Sequence, residues 1–336
     1  MQTYSGKSAA GLACLLALAT GCSAGSDGTA DAAPQSPTPT PTSASPSTSY
    51  APYVSATTAS GNDSAGSPAT YNLAFVISEG SDCTPKWNGA TALSDSAVKS
   101  RISELTQDGA TVRVSFGGAS GKELAASCDS ASALAQAYGK ALDAAGSSQA
   151  DFDIEGDELT DSESVDLRSE AIALLQKERS DLEVSFTLPV MPSGLDDDGV
   201  ALLESANEHD VQVSTVNIMT MNYGESYTGD MGDYALTSAK ATHTQLKEVF
   251  GTSDATAWKA MALTSMLGTN DVDNETFSLD DAAQVREFAD EKGIGWVSMW
   301  ATFRDQQCED GSDDDALTDC SGVDQEDGAF AEAFSG

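Results

Sequence analysis

Residues 150–157 read ADFDIEGD. Three of the four carboxylates, Asp151, Asp153 and Glu155, stand two positions apart, with Ala150, Phe152 and Ile154 between them. Side chains alternate across a β-strand. As a strand, this stretch carries its acids on one face and its apolar groups on the other. Such crowded carboxylates cannot all ionise at once, so protons are shared and at least one pKa rises. A carboxyl raised in this way serves as a general acid at neutral pH. The alternative is an exposed edge strand with solvated acids, which leaves the acid face with no task.

Outward from this stretch, residues 49–336 alternate short apolar, β-branched runs with helix-like ones. The expected strands are YAPYVSA (50–56), YNLAFVIS (71–78), TVRVSFGG (111–118), ADFDIEGD (150–157), LEVSFTLPV (182–190), VNIMTMNYG (216–224), WKAMALTSML (258–267) and GIGWVSMWATFR (293–304). Helices are expected within 94–109, 130–146, 162–179, 199–210, 238–251 and 278–293, several with a glycine stop. Eight strands alternating with helices fit a (β/α)8 TIM barrel. TTASGNDSAGSPAT (57–70) reads as a loop, so the first helix is reduced. An open doubly wound sheet is the alternative, but its usual glycine-rich loop after the first strand is missing. In a barrel the outer face meets helices and is apolar. Asp151, Asp153 and Glu155 therefore point inward and climb about 13 Å, at ~3.3 Å per residue, toward the C-terminal mouth.

Residues 1–21 carry Lys7, the apolar run GLACLLALAT and small residues before Cys22, the pattern of an export signal. The run is too short to span a bilayer stably. ATGC, ending at Cys22, resembles the lipobox of bacterial lipoproteins, which implies a lipid on Cys22; a plain secretory signal cleaved nearby is the alternative. Residues 22–48 are rich in Ser, Thr and Pro and read as a disordered tether. The expected location is secreted or cell-surface, with the lipid as the sole membrane attachment. Cys83, Cys128, Cys308 and Cys320 remain, an even set that suggests two disulfides in one of three pairings. Cys83–Cys128 and Cys308–Cys320 are favoured, since each joins neighbours along the chain. No CxxC spacing is present, and His209 and His243 lack partners at ligand spacing and read as surface residues, so no metal is expected. The net charge of −37, from 53 acids against 16 bases, argues against nucleic acid and anionic membranes as partners. Salt adaptation and simple solubility both account for it. No heptad repeat appears, and a monomer is expected.

The D-x-D-x-E spacing of ADFDIEGD resembles the signature of glycoside hydrolase family 18, the chitinases. SFGG (115–118), MNYG (221–224) and WVSMWATFRD (296–305) are similar to that family's third, sixth and last strand segments. FTLPVMPSGL (186–195) and TSMLGTND (264–271) resemble a secreted actinobacterial branch. The resemblance implies a retaining, substrate-assisted glycosidase acting on β-1,4-linked N-acetylglucosamine, in chitin or its oligosaccharides, without a cofactor. It implies Glu155 as acid and base, Asp153 as the group that orients the acetamido side chain, Asp151 as its deeper neighbour, and Tyr223 as a hydroxyl donor to the acetamido carbonyl. Trp300 becomes the floor of the sugar site. Met221 and Asn222 border it, and Gly117 and Gly118 let the backbone pass close by. The chain departs from the family pattern at Ser148, Asn222 and Gly224, where Asp is usual. Two rival readings share these residues: an endo-β-N-acetylglucosaminidase acting on N-glycans, and a chitin-binding lipoprotein without catalysis.

Overall fold

Closure of the sheet rests on seven residues, 49–55. In a computed structural model, which describes residues 48–309 and 318–336, Ser49–Tyr50 (β1) pairs in parallel with Trp296–Trp300, while Tyr53–Ser55 (β2) pairs in parallel with Thr70–Glu79 (β3). Pro52, between the two halves, has no N–H to give. Its carbonyl accepts from Asn72 N–H at 2.9 Å, and Ala51 N–H donates to the Val297 carbonyl at 2.9 Å. One short segment thus joins both edges of the sheet, and the open-sheet alternative falls.

After β3 come Asp82–Trp87 (β4), Thr91–Ala92 (β5), Ser96–Thr106 (α1), Thr111–Gly117 (β6), Ala131–Ala145 (α2) and Gln149–Asp153 (β7). Asp157–Thr160 (α3), Ser162–Glu178 (α4), Glu183–Pro189 (β8), Asp197–Glu208 (α5), Val213–Met219 (β9), Met231–Phe250 (α6) and Asp254–Lys259 (α7) follow. The chain ends with Met261–Met266 (β10), Gly268–Thr269 (β11), Thr276–Phe277 (β12), Leu279–Lys292 (α8), Trp296–Trp300 (β13) and Ala329–Ser335 (α9). Parallel pairing runs from β3 through β6, β7, β8, β9, β10 and β13 to β1. With β1 and β2 counted as one strand, this is the expected (β/α)8 barrel.

Local chemistry sets the helix ends. Ser130 Oγ caps α2 through the Ala133 N–H, and Gly146 ends it in the left-handed region at φ 65°. Ser278 and Asp281 form a reciprocal capping box on α8. No helix forms between β2 and β3. The outer side of β1 is covered instead by α9, whose Phe334 stacks on Tyr50 with ring centres 6.4 Å apart. The first loop is fastened through Asp63, which pairs with Arg101 at 3.0 Å and accepts from Thr302 Oγ1 at 2.6 Å.

Two differences from expectation have clear causes. The hairpin β4–β5 extends the sheet beyond β3 in antiparallel pairing; Pro85 and Lys86 break up the apolar run that marks a strand. Trp258, expected to open a strand, lies in α7, and the strand begins at Met261. Cys83–Cys128 ties the hairpin to the segment after β6, and Cys308–Cys320 closes a second loop, with Cα atoms 4.6 and 5.1 Å apart. The expected signal, Cys22 and the tether lie outside the described residues, as does most of the acid-rich segment between Cys308 and Cys320.

The layer that holds the acid strand is aromatic. Phe116, Phe152 and Phe186 stand in register on β6, β7 and β8, with ring centres 5.3 and 5.7 Å apart. Tyr138 of α2 packs edge-on against Phe116 and Phe152 at 4.8 and 5.0 Å. All four rings are buried. Burying each is worth about 1.5–3 kcal/mol, so a one-residue slip that turned Phe152 inward would carry a heavy penalty. The same register turns Asp151 and Asp153 into the barrel.

Candidate active site

Asp151 is fully buried at the centre of β7, with Ser115 and Ser185 beside it in register on β6 and β8. Its Oδ2 accepts from Ser115 Oγ at 2.7 Å and Tyr53 O–H at 2.9 Å. Its Oδ1 accepts from Ser185 Oγ at 2.7 Å and Thr187 Oγ1 at 2.8 Å. Four hydroxyls from three strands converge on one carboxylate, whose lone pairs accommodate all of them. Asn217 Nδ2 donates to Thr187 Oγ1 and its Oδ1 accepts from Thr264 Oγ1, both at 2.9 Å, extending the network across the barrel. Asp151 is a rigid base for the acid above it.

Asp153 ends β7 and is buried. Burial pushes its carboxyl well above the usual range, and the like charges of Glu155 and Asp151 push it further. A hydrogen bond links it to Glu155. Its Oδ1 is buried and has no partner. Glu155, half-buried just past the strand end, is also raised: burial is the main cause, Asp271 adds to it, and the bond with Asp153 works against it. Beneath the pair, Gly117 (φ 99°) passes so close that an added Cβ would overlap the Asp153 carbonyl oxygen. At Gly118 (φ 90°) an added Cβ would meet the Phe75 ring at 2.7 Å. Gly118 N–H donates to the Asp153 carbonyl at 2.9 Å. Both positions need glycine.

The two acids open into a cleft at the barrel mouth. Trp300, half-buried, forms one wall. It stacks on Phe75 at 5.5 Å and 20°, and meets Tyr53 and Phe303 edge-on at 5.8 Å each. Met219, Met221 and Met266 line the cleft, as do Asn222, Thr187, Thr264 and Asp271.

Tyr223 is not in this cleft. β9 leaves the sheet after Met219: Thr220 N–H still donates to the Thr264 carbonyl at 2.8 Å, but Met221 N–H turns back to the Met219 carbonyl at 2.9 Å. Asn222 then takes a left-handed φ of 54°. The alternation that put Tyr223 on the face of Met219 and Met221 ends with the pairing that sustains it. Tyr223 turns toward α6, where its hydroxyl accepts from Ser238 Oγ at 3.5 Å and its ring packs on Tyr227 and Tyr234. Burial raises its pKa. Its expected role as a donor to substrate is therefore withdrawn, and Met221 fills the place.

The other named positions sort cleanly. Ser148 is exposed just before the start of β7 and does not line the cleft. Gly224 N–H donates to Glu275 Oε1 at 2.8 Å. Trp87 and Trp258 are buried in the core, and His243, expected at the surface, is buried against Trp258 with rings 3.9 Å apart. His209 is half-buried beside Asp166. Tyr53, Phe75 and Asp271 were not singled out from the sequence. Tyr53 and Phe75 carry only ordinary strand signals, and Asp271 is one acid among many in a loop. Among the described residues no group of three His, Cys, Asp or Glu side chains is arranged to hold a metal ion, and no helix is long and apolar enough to cross a membrane.

No protein-family model matches the chain. Over 275 residues, 76% of its length, it is 35% identical to a probable bifunctional chitinase/lysozyme of Escherichia coli K12, of which it covers 31%. Over 274 residues it is 34% identical to Endochitinase 11 of Metarhizium anisopliae, of which it covers 52%. The chain thus spans about a third to a half of the curated relatives it matches. Among solved structures it is similar to active domain 2 of a thermostable chitinase from Pyrococcus furiosus, solved as catalytic-site mutants complexed with chito-oligosaccharides, at 29% identity and a TM-score of 0.75. The match covers 87% of this chain and 95% of that one. A family 18 chitinase from Pseudoalteromonas aurantia, 15% identical with a TM-score of 0.57, shares the fold over 76% of this chain and 94% of that one. The acid strand thus lies inside a barrel of the kind these chitinases share, and the chain is similar to chitinases in both sequence and fold.

Proposed function

We propose that this protein is a chitinase, hydrolysing β-1,4-linked N-acetylglucosamine chains with Glu155 as proton donor and acceptor. One observation carries the reading: Asp153 and Glu155 sit within one hydrogen bond at the barrel mouth, and Asp153 keeps a buried oxygen, Oδ1, without a partner. An orphaned buried acceptor is costly unless a ligand supplies the donor. The N–H of an acetamido group is such a donor.

The same closeness supports a substrate-assisted route. A carboxylate nucleophile must stand across the sugar ring from the acid. Asp153 is instead bonded to the acid, on the same strand, so it is placed to serve a nucleophile within the substrate. In the first step the proton that Asp153 and Glu155 share passes to Glu155 and on to the glycosidic oxygen as the C1–O bond breaks, which leaves Asp153 ionised. The acetamido carbonyl oxygen bonds to C1, and Asp153 accepts the amide N–H and offsets the positive charge of the oxazolinium ring. In the second step Glu155 takes a proton from water, the water oxygen bonds to C1, and the ring opens with the configuration retained. Trp300 offers a flat apolar face to the sugar, and Met219, Met221 and Met266 suit the acetamido methyl group. Asp151 and its four hydroxyls hold Asp153 in place. Disulfide-bonded cysteines and the export-like leader support action outside the cell.

Purified full chain is to be tested on N-acetylglucosamine oligomers beside Glu155→Gln. Cleavage by the native protein with release of the β-anomer, and none by the variant, is the expected result. Binding without cleavage by the native protein makes it a lectin, and release of the α-anomer overturns the substrate-assisted route.

A further inference from the structure

Two loops meet beside Glu155, one after β9 and one after β10. Asn222 Nδ2 donates to Asp271 Oδ2 at 2.9 Å, and Asp271 N–H donates back to Asn222 Oδ1 at 3.0 Å. The reciprocal bonds fix which end of the amide is nitrogen. Around them Asn222 N–H reaches Asn270 Oδ1 at 3.4 Å, Gly224 N–H reaches Glu275 Oε1 at 2.8 Å, and Asn274 Nδ2 reaches the Tyr227 carbonyl at 3.0 Å. Asn222, Asp271 and Glu155 all line the cleft. Tyr53 of β2 and Asp153 of β7 face it as well, and Asp273 and Arg304 lie in the adjoining groove that Asp271 also borders. Arg304 Nη2 donates to the Leu267 and Thr269 carbonyls.

We propose that Asn222 and Asp271 act as a positioning pair for the hydrolysis: their reciprocal bonds lock the two loops into one wall beside Glu155, and the amide at 222 keeps a second carboxylate out of the contact with Asp271. The functional part rests on Glu155 as the acid; the clasp stands apart from it. A carboxylate at 222 would face that of Asp271 across a 2.9 Å contact with no proton between them. An amide there makes the contact a bond. The left-handed backbone at 222 is tolerated by both Asn and Asp, so exchanging the two residues adds no backbone strain.

The exchange separates charge from bonding. Asp271→Asn keeps both hydrogen bonds and removes the charge. Asn222→Asp keeps the bond from the 271 backbone, replaces the side-chain bond with repulsion and adds charge. The double variant N222D/D271N restores one charge and both bonds, since a carboxylate at 222 accepts from the 271 N–H and from the new amide. The readouts are melting temperature and the pH profile of oligomer hydrolysis. D271N is expected to melt near the native temperature, with the basic limb shifted to lower pH by on the order of half a unit, as for one charge acting across a partly solvated cleft. N222D is expected to melt lower, with the limb shifted to higher pH. The double variant returns both quantities toward native. A double variant no more stable than N222D overturns the clasp, and an unmoved limb in both single variants overturns the charge role. If the native chain hydrolyses nothing, the reading of Glu155 fails while the melting temperatures still decide the clasp.

Discussion

β7 and β9 carry the same period-two signal, yet only one keeps it to the mouth of the barrel. On β7 the pattern runs past the last strand residue, because Ile154 N–H still donates to the Thr187 carbonyl at 3.0 Å and holds the chain extended. Glu155 therefore arrives beside Asp153. On β9 the N–H of Met221 is spent on Met219, two residues back, and the chain curls. Tyr223 lands among the tyrosines outside the barrel. Alternation places a side chain only as far as the neighbouring strand pins the backbone.

The largest effect belongs to the residue that β7 delivers. Glu155→Gln keeps the shape and removes the transferable proton, and kcat is expected to fall by about 10²–10⁴-fold in assays on chito-oligosaccharides, the range of general acid–base contributions. A variant with more than a tenth of native activity would break the assignment. The pH profile sharpens it. The acid must hold its proton, so activity is expected to decline as pH rises through Glu155's raised pKa, at a higher pH than an ordinary glutamate allows.

Asp153→Asn is expected to lower kcat by about 10²-fold, as does loss of one preorganised electrostatic partner. Its effect on stability runs the other way. A group whose pKa is raised on folding contributes stability that is full below its unfolded pKa and is lost as pH rises through the folded value. Burial raises Asp153, so the native chain should lose stability across that window while the variant does not. Melting temperatures at acid and alkaline pH check this: the gap should widen in favour of Asp153→Asn as pH rises. Asp151→Ala, one layer deeper, instead removes the acceptor that four buried hydroxyls share. It is expected to cost at least about 3 kcal/mol in chemical denaturation.

What the sequence discloses follows the same division. The barrel is legible because apolar, β-branched runs recur between helix-like stretches, and the inward acids are legible because Phe152 and Ile154 have to face the helices. The hairpin β4–β5 escapes because Pro85 and Lys86 sit inside it, and because its anchor, the Cys83–Cys128 bond, reaches 45 residues along the chain. Tyr53, Phe75 and Asp271 escape for a different reason. Their importance lies in what faces them: Tyr53 meets Asp151 98 residues on, and Asp271 meets Asn222 49 residues back. No local pattern encodes a partner at that distance.

The smallest expected effects test the point where the two strands part. Met221 lies in the cleft and Tyr223, two residues on, lies behind it. Met221→Ala removes apolar surface from the site, and kcat/KM is expected to fall by about 5–30-fold, the worth of 1–2 kcal/mol in an apolar pocket. Tyr223→Phe removes only an accepted bond of 3.5 Å from Ser238. It should cost about 0.5–1 kcal/mol of stability and leave kcat/KM within about twofold of native, because nothing on the reacting side of the barrel loses a contact. If Tyr223→Phe instead lowers kcat strongly and Met221→Ala does not, the backbone after Met219 is extended when substrate is bound. Tyr223 then swings inward and the resemblance to the family's sixth-strand tyrosine regains its force. The pair of variants thus asks whether the strand end is fixed or is completed by the ligand, and the ratio of their kcat/KM values answers it.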